Sequence, residues 1–93
     1  MKAEVCRFYK VDHSDLYLSR RGYFNEPRNI AIYLIRYLRC DSLKEIGKAF
    51  EIGKYSTASS VIERVRKEIR KDKNIKMRVE ELIAKLSKNQ RQT

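Results

Sequence analysis

Apolar residues along this chain recur three and four positions apart, which is the spacing of one face of a helix. No segment alternates apolar and polar residues for long enough to predict a strand. A short amphipathic helix is predicted over residues 3–10, and a one-turn helix over residues 14–18. The sequence therefore predicts an all-α fold.

The most apolar segment, residues 27–39, is predicted to be the central helix. Pro27 favours the first turn of a helix, because its fixed φ suits that position and its missing N–H is not needed there. Apolar side chains then fall on nearly every side of the helix: Ile30, Ala31, Ile32, Tyr33, Leu34, Ile35, Tyr37 and Leu38. We expect the other helices to surround such a segment.

A short helix, a turn and a longer helix are predicted over residues 42–72. Ser42 and Glu45 have the spacing of a capping box and mark the start of the short helix. One apolar stripe follows it: Leu43, Ile46, Gly47 and Phe50. Its glycine is expected to let a neighbouring helix approach closely. After a turn over 51–55, the helix over 56–72 has an apolar inner face made of Ala58, Val61, Ile62, Val65 and Ile69.

This order of elements predicts a helix-turn-helix, in which the second helix lies in the DNA major groove. A last helix is predicted over 74–86, with one apolar face made of Ile75, Val79, Leu82, Ile83 and Leu86. Residues 88–93 are polar and are predicted to be a frayed tail. The chain is therefore expected to be one helical domain over 1–87, followed by the tail.

The charge of the chain narrows the choice of partner. Its 22 lysines and arginines against 12 acidic residues give a formal net charge of +10. A surface field of this sign attracts polyanions, and nucleic acid is the first candidate. An acidic membrane surface or an acidic protein would also satisfy the field, so the charge alone leaves the partner open.

Other features exclude several classes of protein. The sequence has no apolar run long enough to cross a bilayer and no signal-peptide pattern at its start, so we expect a cytoplasmic chain without a membrane partner. Cys6 and Cys40 lie far apart in apolar helical patterns and are expected to be buried free thiols. His13 is the only histidine, and no Cys/His cluster has ligand spacing, so neither a metal site nor a small-molecule cofactor is predicted.

Small hydroxyl side chains open the second helix of the helix-turn-helix. This part of the chain contains Lys54, Tyr55, Ser56, Thr57, Ser59 and Ser60. Small hydroxyls let a backbone approach phosphates and bases, and a threonine methyl can contact a thymine methyl. Arg64 and Lys67 lie away from the apolar face and suit phosphate contacts. Hydroxyls also cap helix starts and charged runs are usually solvated faces, but together with the net charge these features favour DNA binding.

Three ordered segments resemble a known family. "VCRFYKVDHSDLYLSRR" is similar to the opening helix, short second helix and basic loop of the C-terminal DNA-binding domain of the bacterial replication initiator DnaA. "PRNIAIYLIRYL" is similar to the central helix of that domain, and "SLKEIGKAF" to its first helix-turn-helix helix. The resemblance covers residues 5–86 and implies a Trp repressor-like fold that binds double-stranded DNA.

The chain departs from the family at its signature, Gly-Gly-Arg-Asp-His-Thr-Thr-Val, where it has "EIGKYSTA". Ser56 and Thr57 match the two threonines, whereas Lys54 and Tyr55 stand where an aspartate and a histidine read the initiator's recognition box. The resemblance therefore implies a different target sequence. "YSTAS" is more similar to the DnaA-like C-terminal domain of some bacterial single-tyrosine, repeat-associated transposases. We therefore expect a module of an initiator-like or transposase-related protein, alongside other domains of the parent.

The resemblance also implies roles for individual arginines. Arg20 or Arg21, in the basic loop over 19–26, matches an arginine that enters the minor groove. Arg28 matches a phosphate-contacting arginine, and Arg64 falls where the family has a basic residue of the recognition helix. For Arg20 and Arg21 the alternative is a solvated loop.

The residues predicted to bind DNA are Arg20, Arg21, Arg28, Lys54, Tyr55, Ser56, Thr57, Ser60, Arg64 and Lys67. An enzyme is not predicted. A tyrosine such as Tyr55 needs a base or a metal to become a nucleophile, and no nucleotide-binding motif is present. The remaining alternative is a basic interaction domain that docks an acidic protein.

Overall fold

A computed structural model of the chain describes residues 2–17 and 25–91. Its elements in order are α1 (Lys2–Tyr9), a 3₁₀ helix (His13–Tyr17), α2 (Glu26–Leu34), a π-helical turn that continues α2 (Ile35–Arg39), α3 (Leu43–Ala49), α4 (Tyr55–Lys71) and α5 (Lys73–Arg91). Within those two ranges there is no strand, and the all-α prediction is confirmed.

Helix α2 occupies the centre of the fold, as predicted. Asn25 caps its start by accepting a hydrogen bond from the Arg28 backbone N–H at 3.3 Å, and Pro27 lies in its first turn. Four of its apolar side chains, and that of the first residue of the π-helical turn, are almost completely buried: Ile30, Ala31, Ile32, Leu34 and Ile35. Helix α1, the 3₁₀ helix and α4 all pack against it, so each of them buries its apolar side chains by covering α2.

The π-helical turn changes the environment of the last residues of the predicted central helix. Tyr37 is 58% exposed and stacks on Tyr33, with ring centroids 5.8 Å apart. Cys40, which ends the turn, has a left-handed φ of 57° and is exposed, so the prediction that it is buried is wrong. The chain leaves the core at this residue to start α3. Cys6 is buried in α1 as predicted, and burial raises the pKa of its thiol.

A carboxylate on α2 joins three helices. The Tyr9 hydroxyl of α1 donates to Glu26 Oε2 at 2.6 Å. Arg78 of α5 donates to both oxygens of Glu26, from Nε at 2.6 Å and from Nη2 at 2.9 Å. Burial, together with donation to Glu26, holds the pKa of Tyr9 well above its ordinary value, and the hydrogen bonds to Glu26 raise the pKa of Arg78. This bidentate contact fixes the orientation of the Arg78 guanidinium as well as its position.

The predicted capping box at the start of α3 is confirmed. Ser42 Oγ accepts from the Glu45 backbone N–H at 3.2 Å, and the Ser42 backbone N–H donates to Glu45 Oε1 at 3.1 Å. That backbone donation holds the pKa of Glu45 below its ordinary value. The helix therefore starts at a fixed residue, three positions before the buried Ile46.

The end of α3 is equally well defined, by a Schellman-type turn. Glu51 adopts a left-handed φ of 57°, and the Ile52 backbone N–H donates to the Gly47 carbonyl oxygen at 2.7 Å. A Cβ atom at Gly47 would lie 2.9 Å from the Ile52 carbonyl oxygen. The glycine therefore makes room for the backbone of the turn, and the prediction that it admits a neighbouring helix is wrong.

Helices α4 and α5 follow with inner faces close to those predicted. Ala58, Ile62 and Val65 of α4 are buried, as are four apolar residues of α5, Ile75, Val79, Leu82 and Leu86. Asp72 separates the two helices, and its side chain accepts from the Asn74 backbone N–H at 2.9 Å. Helix α5 runs to Arg91 instead of ending at residue 86, because neither proline nor glycine interrupts it.

The two described glycines of the helix-turn-helix should respond differently to alanine. We expect Gly47→Ala to cost about 1–3 kcal/mol through overpacking against Ile52, offset in part by about 1 kcal/mol of helix propensity. Gly53→Ala is the matched control, because a Cβ there meets nothing within 4 Å. The free energy of unfolding, from urea denaturation, should fall for the first variant and stay level or rise for the second. Equal values would contradict this explanation of Gly47.

The raised pKa of Tyr9 predicts a stability that falls at high pH. The fold holds the neutral phenol, so its contribution is complete below the unfolded pKa of about 10 and is lost as the pH rises from there through the folded value. Tyr9→Phe should therefore be less stable than the parent at pH 8, and the difference should narrow above pH 10. Urea denaturation at a series of pH values measures it. A difference that does not change with pH would show that the hydroxyl is not bound as described.

Candidate nucleic-acid interface

Helix α4 has one buried face and one exposed face, because its residues turn by about 100° each. Ala58, Ile62 and Val65 point into the core and are no more than 5% exposed. On the opposite side lies what we call the outer face of α4, made of the exposed residues Ser56, Thr57, Ser59, Ser60, Glu63, Arg64, Arg66, Lys67, Arg70 and Lys71. The core contacts hold the helix by its apolar side and leave this polar surface accessible.

The hydroxyls at the start of α4 do not cap it. The N-cap residue is Lys54, in an extended conformation, and no side chain makes a capping hydrogen bond. The hydroxyls of Ser56, Thr57, Ser59 and Ser60 accept or donate no hydrogen bond among the described residues, and all four residues are exposed. These groups, with the first backbone N–H groups of the helix, are available to an external ligand, and a helix N-terminus favours an anionic one.

The outer face of α4 is strongly basic towards its C-terminal half. Glu63 is the one exposed acidic residue of this helix, and its Oε1 accepts from Arg66 Nη1 at 2.8 Å. The other exposed charges are positive: Arg64, Lys67, Arg70 and Lys71. Polar hydroxyls at one end and positive charge at the other give the helix two chemically distinct parts.

Most of the predicted DNA-binding residues come together on this helix. Ser56, Thr57, Ser60, Arg64 and Lys67 belong to its outer face, Lys54 is the exposed N-cap, and Tyr55 is the first helical residue. Arg20 and Arg21 lie outside the described residues, so their part in the site stays a prediction.

Arg28 lies elsewhere, in the first turn of α2. It is 7% exposed, and its Nη1 donates to Asn29 Oδ1 at 3.2 Å. Its Nε has no hydrogen-bond partner among the described residues, and burial lowers the pKa of the guanidinium. Arg28 is thus buried, unlike the exposed residues of the outer face of α4. The phosphate contact assigned to Arg28 from the resemblance therefore stays a prediction.

Two further classes of site are absent from the described residues. No group of three or more His, Cys, Asp or Glu side chains there could hold a metal ion. None of the described helices has the length and apolar character required to cross a bilayer.

Comparison with known proteins agrees with this geometry. The family model described as "Bacterial dnaA protein helix-turn-helix" matches residues 1–65, which include α1 to α3 and most of α4. The chain belongs to the bacterial DnaA helix-turn-helix family. The resemblance to the C-terminal domain of DnaA is thereby confirmed, and the closer similarity to a transposase domain stays a prediction.

Individual relatives extend the similarity beyond residue 65. The chain is 34% identical over 83 residues to the chromosomal replication initiator protein DnaA of Acholeplasma laidlawii, covering 88% of this chain and 18% of the relative. It is 36% identical over 85 residues to the same protein of Caldanaerobacter subterraneus subsp. tengcongensis, again covering 88% and 18%. For Limosilactobacillus reuteri the values are 31% over 87 residues, covering 92% and 20%. The chain thus spans about a fifth of the length of these curated relatives.

The turn of the helix-turn-helix can now be compared with the signature of the DnaA family. Glu51 stands where the signature has its first glycine, and it has the left-handed φ that favours glycine. Ile52 stands where the second glycine is found, and it packs its side chain against the core. The conformation of the turn is therefore one that glycine suits, while its side chains differ.

Sequence reasoning left five exposed residues of the outer face out of the predicted site: Ser59, Glu63, Arg66, Arg70 and Lys71. Helical periodicity was sufficient to find them, since each lies away from Ala58, Ile62 and Val65.

Proposed function

We propose that this domain binds double-stranded DNA in a sequence-specific manner, with the outer face of α4 in the major groove. The observation that carries the proposal is the start of α4, where exposed hydroxyls serve no capping role while the opposite side of the helix is held in the core. Lys54, Tyr55, Ser56, Thr57 and Ser60 are the residues proposed to read base edges. Hydroxyls donate and accept hydrogen bonds, so they suit mixed donor and acceptor patterns in the groove.

The length of α4 leads us to propose that its first half contacts bases and its second half contacts phosphates. Its 17 residues extend about 25 Å at 1.5 Å per residue, whereas the major groove is about 12 Å wide. The first half of the helix therefore fits within the groove, and the second half reaches its rim. Arg64 and Lys67 are proposed to contact phosphates there, since each presents positive charge on the exposed side of the helix.

Two contacts outside α4 are proposed from the family resemblance. Arg20 or Arg21 would enter the adjacent minor groove, where a narrow width strengthens the negative potential that attracts arginine. Arg28 would contact a phosphate, and its Nε supports this role because it has no hydrogen-bond partner among the described residues and a buried donor without an acceptor is costly.

The larger protein in which the domain works is also part of the proposal. The relatives are named as replication initiators, and the chain spans about a fifth of their length. A module of an initiator-like protein, or of a transposase with a DnaA-like C-terminal domain, fits both facts and the departure at Lys54 and Tyr55. We assign it DNA binding alone, without catalysis, a metal ion or a small-molecule cofactor, next to other domains of the parent.

Selection from random duplexes tests the function directly. We expect the purified domain to enrich one sequence class that differs from the initiator's recognition box, which is included as a competitor. The logarithm of the affinity should fall with the logarithm of salt concentration by a slope of about 0.9 for each phosphate contact. Fluorescence anisotropy at several salt concentrations measures that slope.

Three results would count against this prediction. A flat salt dependence would remove phosphate neutralisation as the basis of binding. Binding without any sequence preference would favour the alternative, a basic domain that docks an acidic protein. Preference for the initiator's own box would contradict the role given to Lys54 and Tyr55.

Substitutions in the two halves of α4 should have different signatures. Thr57→Phe should change the sequence preference, because each good base contact contributes about 1–3 kcal/mol of discrimination. Arg64→Gln should weaken all duplexes about equally and lower the salt slope by about one. Affinities for the selected duplex and a scrambled duplex separate the two effects.

A matched control for Arg64→Gln is Arg7→Gln, which removes an exposed arginine from α1 and leaves α4 unchanged. It should alter neither the preference nor the slope by a comparable amount. If Thr57→Phe weakens the selected and the scrambled duplex equally, then the start of α4 does not read bases.

A further inference from the structure

One carboxylate stands on the surface that the proposed function places against DNA. Glu63 is exposed on the outer face of α4. It lies in one row along the helix with Ser56, Ser60 and Lys67, because successive members of this row are three or four residues apart. Its side chain is 57% exposed, so it points away from the core and towards the proposed ligand. Repulsion from phosphates makes a carboxylate costly here unless it meets a hydrogen-bond donor.

With α4 in the major groove as proposed above, the position of Glu63 along the helix would bring it over base edges. It lies seven residues after Ser56, about 10 Å along the axis at 1.5 Å per residue, which is within the roughly 12 Å width of the major groove. Lys67, four residues further, lies about 16 Å from Ser56 and so reaches the phosphate rim. The only acidic residue of the row thus lies where bases face the helix, and the lysine lies where phosphates do.

We propose that Glu63 is a specificity-determining residue that accepts a hydrogen bond from the amino group of a cytosine in the major groove. This inference rests on the proposed function. A carboxylate can only accept hydrogen bonds, and the donors in the major groove are the amino groups of cytosine and adenine. The adenine amino group lies between two acceptors, adenine N7 and thymine O4, which repel a carboxylate. The cytosine amino group has an acceptor, guanine O6, on one side only, so cytosine is favoured.

Arg66 positions the carboxylate for this contact. Its Nη1 donates to Glu63 Oε1 at 2.8 Å, across one turn of the helix. Glu63 Oε2 accepts no hydrogen bond from the described residues and is left for the base. The pair also reduces the net charge over the bases without removing the positive charge of the rim. Without the base contact, it would be an ordinary exposed helix pair, which contributes little to stability.

The test compares the sequence preferences of four variants with that of the parent, by selection from random duplexes followed by affinity measurements on single-position mutants of the best site. Glu63→Ala should abolish a preference for cytosine at one position, a loss of about 5- to 150-fold in discrimination. Glu63→Gln should shift that position towards adenine, since glutamine can donate to adenine N7 and accept from its amino group. Circular dichroism checks that each variant is folded.

Glu81→Ala is the matched control. It removes the same charge from an equally exposed glutamate, which pairs with Lys85 on α5. This variant should keep the cytosine preference, and any general gain in affinity from losing a negative charge will appear in it as well. Arg66→Ala should weaken the cytosine preference less than Glu63→Ala does, because the acceptor remains.

The outcomes separate the inference from the function on which it rests. If the parent selects a sequence and Glu63→Ala keeps the same profile, with or without uniformly tighter binding, the inference is overturned and the proposed function stands. If the parent itself shows no preference among duplexes, the proposed function is overturned, and the role of Glu63 is overturned with it.

Discussion

Helix α2 cannot lie at the surface, because apolar side chains project from nearly all sides of it. Ile30, Ala31 and Ile32 are consecutive and all fully buried, so neighbours must cover three different directions at once. Helix α1, the 3₁₀ helix and α4 supply that cover. Since α4 is fixed by its contacts with α2, the apolar stripe of α4 is buried in the core and its polar side faces outward. The accessible surface of α4 is thus a consequence of how α2 is buried.

A second, polar constraint acts on the same helix at its start. Glu26 accepts hydrogen bonds from Tyr9 of α1 and Arg78 of α5, so a single carboxylate connects these two helices to the start of α2. Helix α5 also packs against α4, so its position relative to Glu26 helps to fix the position of the helix that we propose to bind DNA. Apolar packing tolerates small sliding motions, whereas a forked hydrogen bond does not, and the two together define one arrangement.

The elements that sequence reasoning predicted well are those fixed by local signals. The pair Ser42 and Glu45 gave the start of α3, and the unbroken apolar run gave the central helix. The failures share a different cause. The role of Gly47 depends on the Ile52 carbonyl five residues away, and the exposure of Cys40 depends on a left-handed turn at a residue other than glycine. The same holds for the site: periodicity along α4 finds its outer face, but the burial of Arg28 follows from tertiary packing, which no local pattern contains.

The contact between Glu26 and Arg78 also has a consequence for synthesis of the protein on the ribosome. The two residues are 52 positions apart, so the carboxylate and the Tyr9 hydroxyl are made long before the arginine that completes their cluster. A domain generally folds as a unit, which requires all of its helices to have left the ribosome. Until α5 has emerged, a nascent chain carrying α1 to α4 lacks the cation of this cluster and exposes the apolar surface that α5 later covers. Such an incomplete chain is prone to aggregation, and α5 ends this vulnerable period when it covers that surface.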